Sequence, residues 1–179
     1  MSKTVDILST AIRSAVNGEP FDNVVNKLKE LDEVKVKVWR EHESVKLPTY
    51  AKEGDACMDI YVHDVEMKSD GRVVYHTGLH FKLPEDYEME IRPRSSNTKT
   101  VAVMQNAPGT LDEGYTGELM IVHRNVDFPT IANPQYHIGD RCAQILVRRK
   151  ENIVWDEVTN IEDLGTTERG AGGFGSSGK

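Results

Sequence analysis

The hydrophobic period of this chain changes once, at Val34, and that change narrows the folds open to it. Before it, Val5, Leu8, Ile12 and Ala15 recur at helical spacing, and Asn17-Gly18 supplies a stop. Pro20 then opens a second segment in which Phe21, Val24, Val25, Leu28 and Leu31 mark one apolar face. Helices this short are not stable alone, so they must pack on each other, on the main domain or on a protein partner. From Val34 the period is two: Val34, Val36 and Val38 alternate with Lys35 and Lys37. Short runs of strand character follow at Met58–Val62, Leu79–Leu83, Tyr87–Arg92, Leu119–His123, Cys142–Arg148 and Ile153–Val158. A hairpin is expected around Ser69-Asp70-Gly71, and prolines at 48, 84, 93, 108, 129 and 134 fall between the runs. Many short strands with turn signals between them predict an all-β sandwich or jelly roll.

Three segments result: a helical extension over 1–33, a β domain over 34–163 and a glycine-rich tail over 164–179. The stretch Gly165–Lys179 holds six glycines and too little apolar surface to pack, so it should move freely without a ligand. Arg169 and Phe174 are nevertheless residue types that a plain linker does not need.

Charge and cysteine usage exclude several function classes. A formal net charge of −7 argues against nucleic acid as a partner, because wide phosphate-backbone contact needs a basic face. It leaves room for a small anion held by a few arginines and a divalent cation. No run is long and apolar enough for a membrane span, and no basic-apolar signal opens the chain. Cys57 and Cys142 lack metal or redox spacing and read as reduced, buried thiols. These features together predict a cytoplasmic protein without a membrane partner.

Five stretches carry residues with chemical potential. Pro108-Gly-Thr-Leu-Asp-Glu-Gly-Tyr-Thr-Gly-Glu-Leu119 reads as a β-hairpin with an open tip, placing Asp112 three residues ahead of Tyr115. Taken by itself it is more simply a surface turn. Gly54-Asp-Ala-Cys-Met-Asp-Ile60 and Gly139-Asp-Arg-Cys-Ala-Gln-Ile-Leu146 are turns entering strands. Arg92-Pro-Arg-Ser-Ser-Asn97 sets two hydroxyls after Arg94, a combination suited to phosphate oxygens. Arg169-Gly-Ala-Gly-Gly-Phe-Gly-Ser-Ser-Gly178 could follow a polyphosphate closely, although it lacks the spacing of the Walker loop. His76 and His80 fall on a strand entry, where a spacing of four does not converge on a metal, and read as structural or exposed.

Together and in this order, the five stretches resemble the five motifs of the homotrimeric dUTPase family. The resemblance covers roughly Val34 to Lys179 and leaves the helical extension outside it. It implies a jelly-roll (β-clip) subunit, a homotrimer with shared active sites, and dUTP hydrolysis to dUMP and pyrophosphate with Mg²⁺. It implies that Asp112 orients and deprotonates the water that attacks the α-phosphorus. Tyr115 would pack on the deoxyribose and exclude a 2′-hydroxyl. Asn106 and the backbone of Thr110, Leu111 and Met120 would read the uracil edge. Arg94, Ser95 and Ser96 resemble phosphate contacts, and Gln144 the partner on the α-phosphate side. Arg169 would reach the γ-phosphate and Phe174 would stack on uracil, within a tail segment that includes Gly173, Gly175 and Ser176. Mg²⁺ would be held by the phosphates and waters without a direct protein ligand, with Asp59 tied into that network.

Ser96, Cys57 and Ala171 depart from the usual pattern without removing a residue that does chemistry, and the insert Val126–His137 departs in length. The dCTP deaminase family, as a deaminase or a bifunctional enzyme, shares the fold. Its catalytic glutamate position is Val122 here. A regulatory binding protein built on the same scaffold is a rival of another class; the intact Asp112, Arg169 and Phe174 argue against a purely non-catalytic relic. Ordering about ten tail residues costs on the order of 10 kcal/mol, so closure should require the full triphosphate.

Overall fold

A computed structural model describes residues 3–29 and 33–172 of the chain. The two expected helices form, α1 over Lys3–Val16 and α2 over Phe21–Lys29, and they pack against each other. Ala11 and Ser14 are buried on α1. Gly18, with φ +72°, takes the left-handed conformation that ends α1, where a side chain would be strained. Ile12, Val16 and Phe21 remain largely exposed, while Leu31 lies outside the described residues.

Among the described residues nine strands follow in two antiparallel sheets, as the alternating pattern predicts. They are β1 (Lys37–Arg40), β2 (Met58–Tyr61), β3 (Asp64–Met67), β4 (Arg72–Lys82), β5 (Tyr87–Arg92), β6 (Ala102–Met104), β7 (Gly109–Leu111), β8 (Glu118–Asn125) and β9 (Arg141–Arg149). One sheet runs β1-β4-β8-β6, with β3 also paired to β4; the other runs β2-β9-β5-β7. The Ser69-Asp70-Gly71 turn joins β3 to β4 as expected, with Lys68 N–H donating to Arg72 O at 2.9 Å. Gly71 is required there, because a Cβ would lie 2.0 Å from Pro129 O.

Period-two alternation builds the core between the sheets. Leu119, Ile121, His123 and Asn125 of β8 face inward, and Met120 faces out. They meet Tyr75 and Leu79 of β4, Met89 and Ile91 of β5, Leu111 of β7 and Ile145 of β9. The Tyr75 hydroxyl accepts hydrogen bonds from Gln135 N–H (2.8 Å) and Tyr136 N–H (3.3 Å), anchoring the end of the 126–137 insert.

Two sequence expectations change. Ile153–Val158 is not a strand: it pairs with nothing among the described residues, and Val154 and Trp155 are 83% and 88% exposed. Its strand-like composition has no ladder among the described residues to join. The strands flanking the Asp112 turn do not pair with each other either. β7 pairs with β5 and β8 with β4 and β6, so the turn crosses from one sheet to the other. Among the described residues no helix is long and apolar enough to cross a membrane.

Candidate active site

One end of the four-stranded sheet gathers three of the motifs. Register sets Asp59 of β2 opposite Gln144 of β9, and Gln144 opposite Arg92 of β5. Pro93 ends β5, Arg94 stays extended, and Ser95 and Ser96 open a short 3-10 helix over Ser95–Lys99. Arg94 Nε donates to Asp59 Oδ1 at 2.7 Å, and its Nη1 donates to Ser96 Oγ at 3.0 Å. Arg141 Nη1 donates to the other carboxylate oxygen of Asp59 at 3.0 Å. Gln144 Nε2 donates to Pro93 O at 2.8 Å, tying β9 to the loop that carries Arg94.

Asp59 is only 8% exposed, and two guanidiniums meet it, which leaves an excess of positive charge and spare N–H donors beside the serine hydroxyls. That arrangement suits anionic oxygens. The sequence reading assigned no role to Arg141; its place in the Gly139-Asp-Arg turn entering β9, beside Asp59, was the available signal. Among the described residues no group of three or more His, Cys, Asp or Glu side chains converges as a metal site. With both Asp59 oxygens engaged by arginines, a directly ligated Mg²⁺ does not fit this donor set. A Mg²⁺ carried on a triphosphate needs no such ligand.

The second group lies on the sheet-crossing turn. Tyr115 N–H donates to Asp112 O at 3.0 Å, closing the turn and leaving the Asp112 side chain exposed. The Tyr115 hydroxyl donates to Glu118 O at 3.0 Å. Its ring lies against Gly117, where a Cβ would approach the Tyr115 hydroxyl to 2.5 Å and the ring to 2.6 Å, so a side chain at 117 would push the ring aside. Asn106 precedes the cis Ala107–Pro108 bond, and its amide is held by β8. Asn106 Nδ2 donates to Met120 O at 2.9 Å and Oδ1 accepts from Val122 N–H at 3.0 Å. One Nδ2 hydrogen and one Oδ1 lone pair remain for a ligand. Thr110 and Leu111 lie on β7, an edge strand whose outer backbone groups are not used by the sheet.

His76 and His80 are structural parts of the turn's exit leg. The β4–β8 register shifts between them, around Gly78 (φ +64°). His80 Nδ1 bonds Thr116 O at 2.9 Å, and Glu118 takes Gly78 N–H and His76 Nδ1, both at 2.8 Å. Glu41, the Thr116 carbonyl and the nearby Glu118 charge raise the His80 pKa. Cys142 is buried, which pushes its thiol up to about 12 and leaves it inert at neutral pH.

The two groups do not meet within one chain. Leu111 pairs with Met89 and Gly109 with Ile91, so the register carries Asp112 to the level of Glu88, near the Tyr87 end of β5, while Arg94 follows its Arg92 end. Six strand positions at ~3.3 Å each separate them by about 20 Å. Arg169 is exposed, and its Nε donates to Gly172 O at 3.0 Å. Gly173, Phe174, Gly175 and Ser176 lie outside the described residues.

Comparison with known proteins agrees with the motif order and the fold. The dUTPase family model matches residues 43–178. A deoxyuridine 5'-triphosphate nucleotidohydrolase from Fusobacterium nucleatum is 39% identical over 155 residues, covering 83% of this chain and all of that protein. The Solibacter usitatus protein of the same name is 39% identical over 152 residues, covering 82% and 97%. Among solved structures, the Staphylococcus bacteriophage 80alpha dUTPase with dUPNHPP superposes with a TM-score of 0.63 at 25% identity, covering 81% of this chain and 99% of that one. A mutant dUTPase from phage phi11 of S. aureus, described with a structural Mg(II) ion, gives a TM-score of 0.57 at 21% identity over 72% of this chain and 99% of that one. With the family model matching residues 43–178 and relatives 39% identical over most of the chain, the chain belongs to the dUTPase family.

Proposed function

We propose that the protein hydrolyses dUTP to dUMP and pyrophosphate in a cytoplasmic homotrimer whose active sites are shared between subunits. The observation that carries the shared site is the separation of Asp112 from Arg94 along β5: one chain cannot bring both to a single triphosphate. Residues 151–171 support the same reading. All are exposed and, among the described residues, hydrogen-bond only locally, and Ile153, Val154, Trp155, Ile161 and Leu164 form an apolar arm that no described residue covers. Docked on a neighbouring copy, that arm carries Arg169 and the tail beyond it to a site on another subunit.

In the assembled site Arg94, Ser95, Ser96 and Gln144 hold phosphate oxygens, with Asp59 and Arg141 fixing the Arg94 fork. Asn106 and the backbone of Thr110, Leu111 and Met120 read uracil, and Tyr115 packs on the deoxyribose. Asp112 takes a proton from water as the oxygen bonds the α-phosphorus. The bond to the bridging oxygen breaks, and the electron pair leaves with pyrophosphate. Carried on the phosphates, Mg²⁺ would supply charge neutralisation to their oxygens. Arg169 and Phe174 close over the γ-phosphate and base. Val122, half-buried within β8, offers no carboxylate for the deamination chemistry of the rival family.

Pyrophosphate release measured with dUTP, UTP, dCTP and dTTP in Mg²⁺ buffer should show strong preference for dUTP. Ammonia release from dCTP would overturn the activity. The shared site has its own test. Asp112→Asn and Arg94→Ala chains, each inactive alone, should regain activity when unfolded and refolded together. Random assortment completes about one site in four. No recovery in mixed trimers would show that each chain builds its own site.

A further inference from the structure

We infer that Glu113 is a positioning residue for Asp112, clamping the entry leg of the turn through Lys150, Lys82 and the Asp86 N–H. This rests on the assignment of Asp112 as the water-activating base. Among the described residues the Asp112 carboxylate makes no hydrogen bond or ion pair, so the backbone of its turn sets its aim. The exit leg of that turn is held by Tyr115, His80 and Glu118. On the entry leg the tip is open, with nothing within 4 Å of a Cβ placed on Gly114. The side-chain hold between buried Leu111 and Tyr115 comes from Glu113.

That hold draws on three separate segments. Glu113 Oε2 accepts from Lys150 Nζ and from Asp86 N–H, both at 2.9 Å, and the Glu113 carbonyl accepts from Lys82 Nζ at 2.8 Å. Lys82 ends β4, Asp86 lies in the turn between β4 and β5, and Lys150 follows β9. Lys150 N–H also donates to Asp86 O at 2.9 Å, so two of the anchors are joined to each other. Asp86 adopts φ 65°, the left-handed region uncommon for residues with a Cβ, in the turn that presents its N–H to Glu113. The Lys150 bond lowers the Glu113 pKa, which keeps the anionic acceptor in place. Lys150 also feels the charge of Asp112.

An ion pair this exposed adds little to folding, so its loss should appear in catalysis and hardly in stability. The full-length protein is compared with Glu113→Ala, Glu113→Gln, Lys150→Met and Asp112→Asn. Glu113→Ala is expected to lower kcat about 10- to 100-fold, in the range that roughly 1 Å of misplacement produces. Its KM, its affinity and stoichiometry for a non-hydrolysable dUTP analogue, and its Tm (within about 3 °C) should stay near wild type. Glu113→Gln keeps the acceptor for Asp86 N–H and Lys150 and should recover most of the loss. Lys150→Met should fall between them. Glu113→Ala and Lys150→Met both within twofold of wild-type kcat would overturn the inference, as would a kcat loss matched by loss of Tm or of analogue-binding sites. Should Glu113→Ala fail to fold, Lys150→Met carries the same decision. Wild-type turnover in Asp112→Asn would instead remove the base assignment, and this inference with it.

Discussion

Replacing Asp112 with asparagine is expected to leave binding of a non-hydrolysable dUTP analogue near wild-type strength and to lower kcat about 10²- to 10⁴-fold. Asparagine has the same shape, and the turn is closed by the backbone carbonyl of residue 112, which the substitution does not touch. The amide can still hold a water but cannot take its proton, so ground-state binding survives and transition-state stabilisation does not. The side chain is exposed and has no hydrogen-bond or ion-pair partner among the described residues, so stability should change little. Single-turnover rates and calorimetric analogue binding on the same preparation separate the two effects. Turnover close to wild type would take Asp112 out of the reaction.

Lowering the pH from 6.5 to 4.5 is expected to destabilise the fold by about 2–3 kcal/mol through one residue, His123. Its ring is 1% exposed, both nitrogens lack a hydrogen-bond partner among the described residues, and Tyr75 and Tyr136 meet it edge-on at 5.3 and 5.5 Å. Burial pushes its pKa down to about 4, against 6.5 when unfolded. Between those values the unfolded chain binds the extra proton. Stability is therefore full above 6.5 and falls as the pH drops towards 4. His76 and His80, raised in the folded state, act in the opposite sense and lose their contribution as the pH rises above 6.5. Burial pulls the His76 pKa down, but Glu118 and Glu66 together outweigh it. Glu66, Asp70 and Glu90 are lowered, and their contributions fade only below about 4.5. The interval between belongs to His123. Tm at fixed protein concentration should drop by about 5–10 °C across it, and His123→Leu should flatten the slope. An unchanged slope in His123→Leu would move the effect to another group.

The sequence shows side-chain alternation, and alternation is local, so the two-sheet architecture was legible from the valine, leucine and isoleucine positions. Pairing is not local. Ile153–Val158 has strand composition but pairs with nothing among the described residues. The Asp112 turn has hairpin flanks whose partners lie on β4, β5 and β6. The motif residues were legible individually and in order. Their separation was not, because the register of β5 against β7 and β9 places Asp112 and Arg94 at opposite ends. Arg141 and Glu113 went unassigned for a related reason: each acts through a residue distant in sequence, Asp59 in one case and Lys150 in the other.

The crossing of the Asp112 turn from one sheet to the other makes the turn a strap across the sandwich. Leu111 before it and Leu119 after it are both buried in the same core, on facing sheets. Any change in the spacing or slide of the sheets therefore arrives at the turn as a change in the angle of the carboxylate. Core volume then becomes a means of adjusting turnover. A methylene removed at Ile121 or Ile145, both buried in the core, would reach the chemistry through the strap that those residues hold taut.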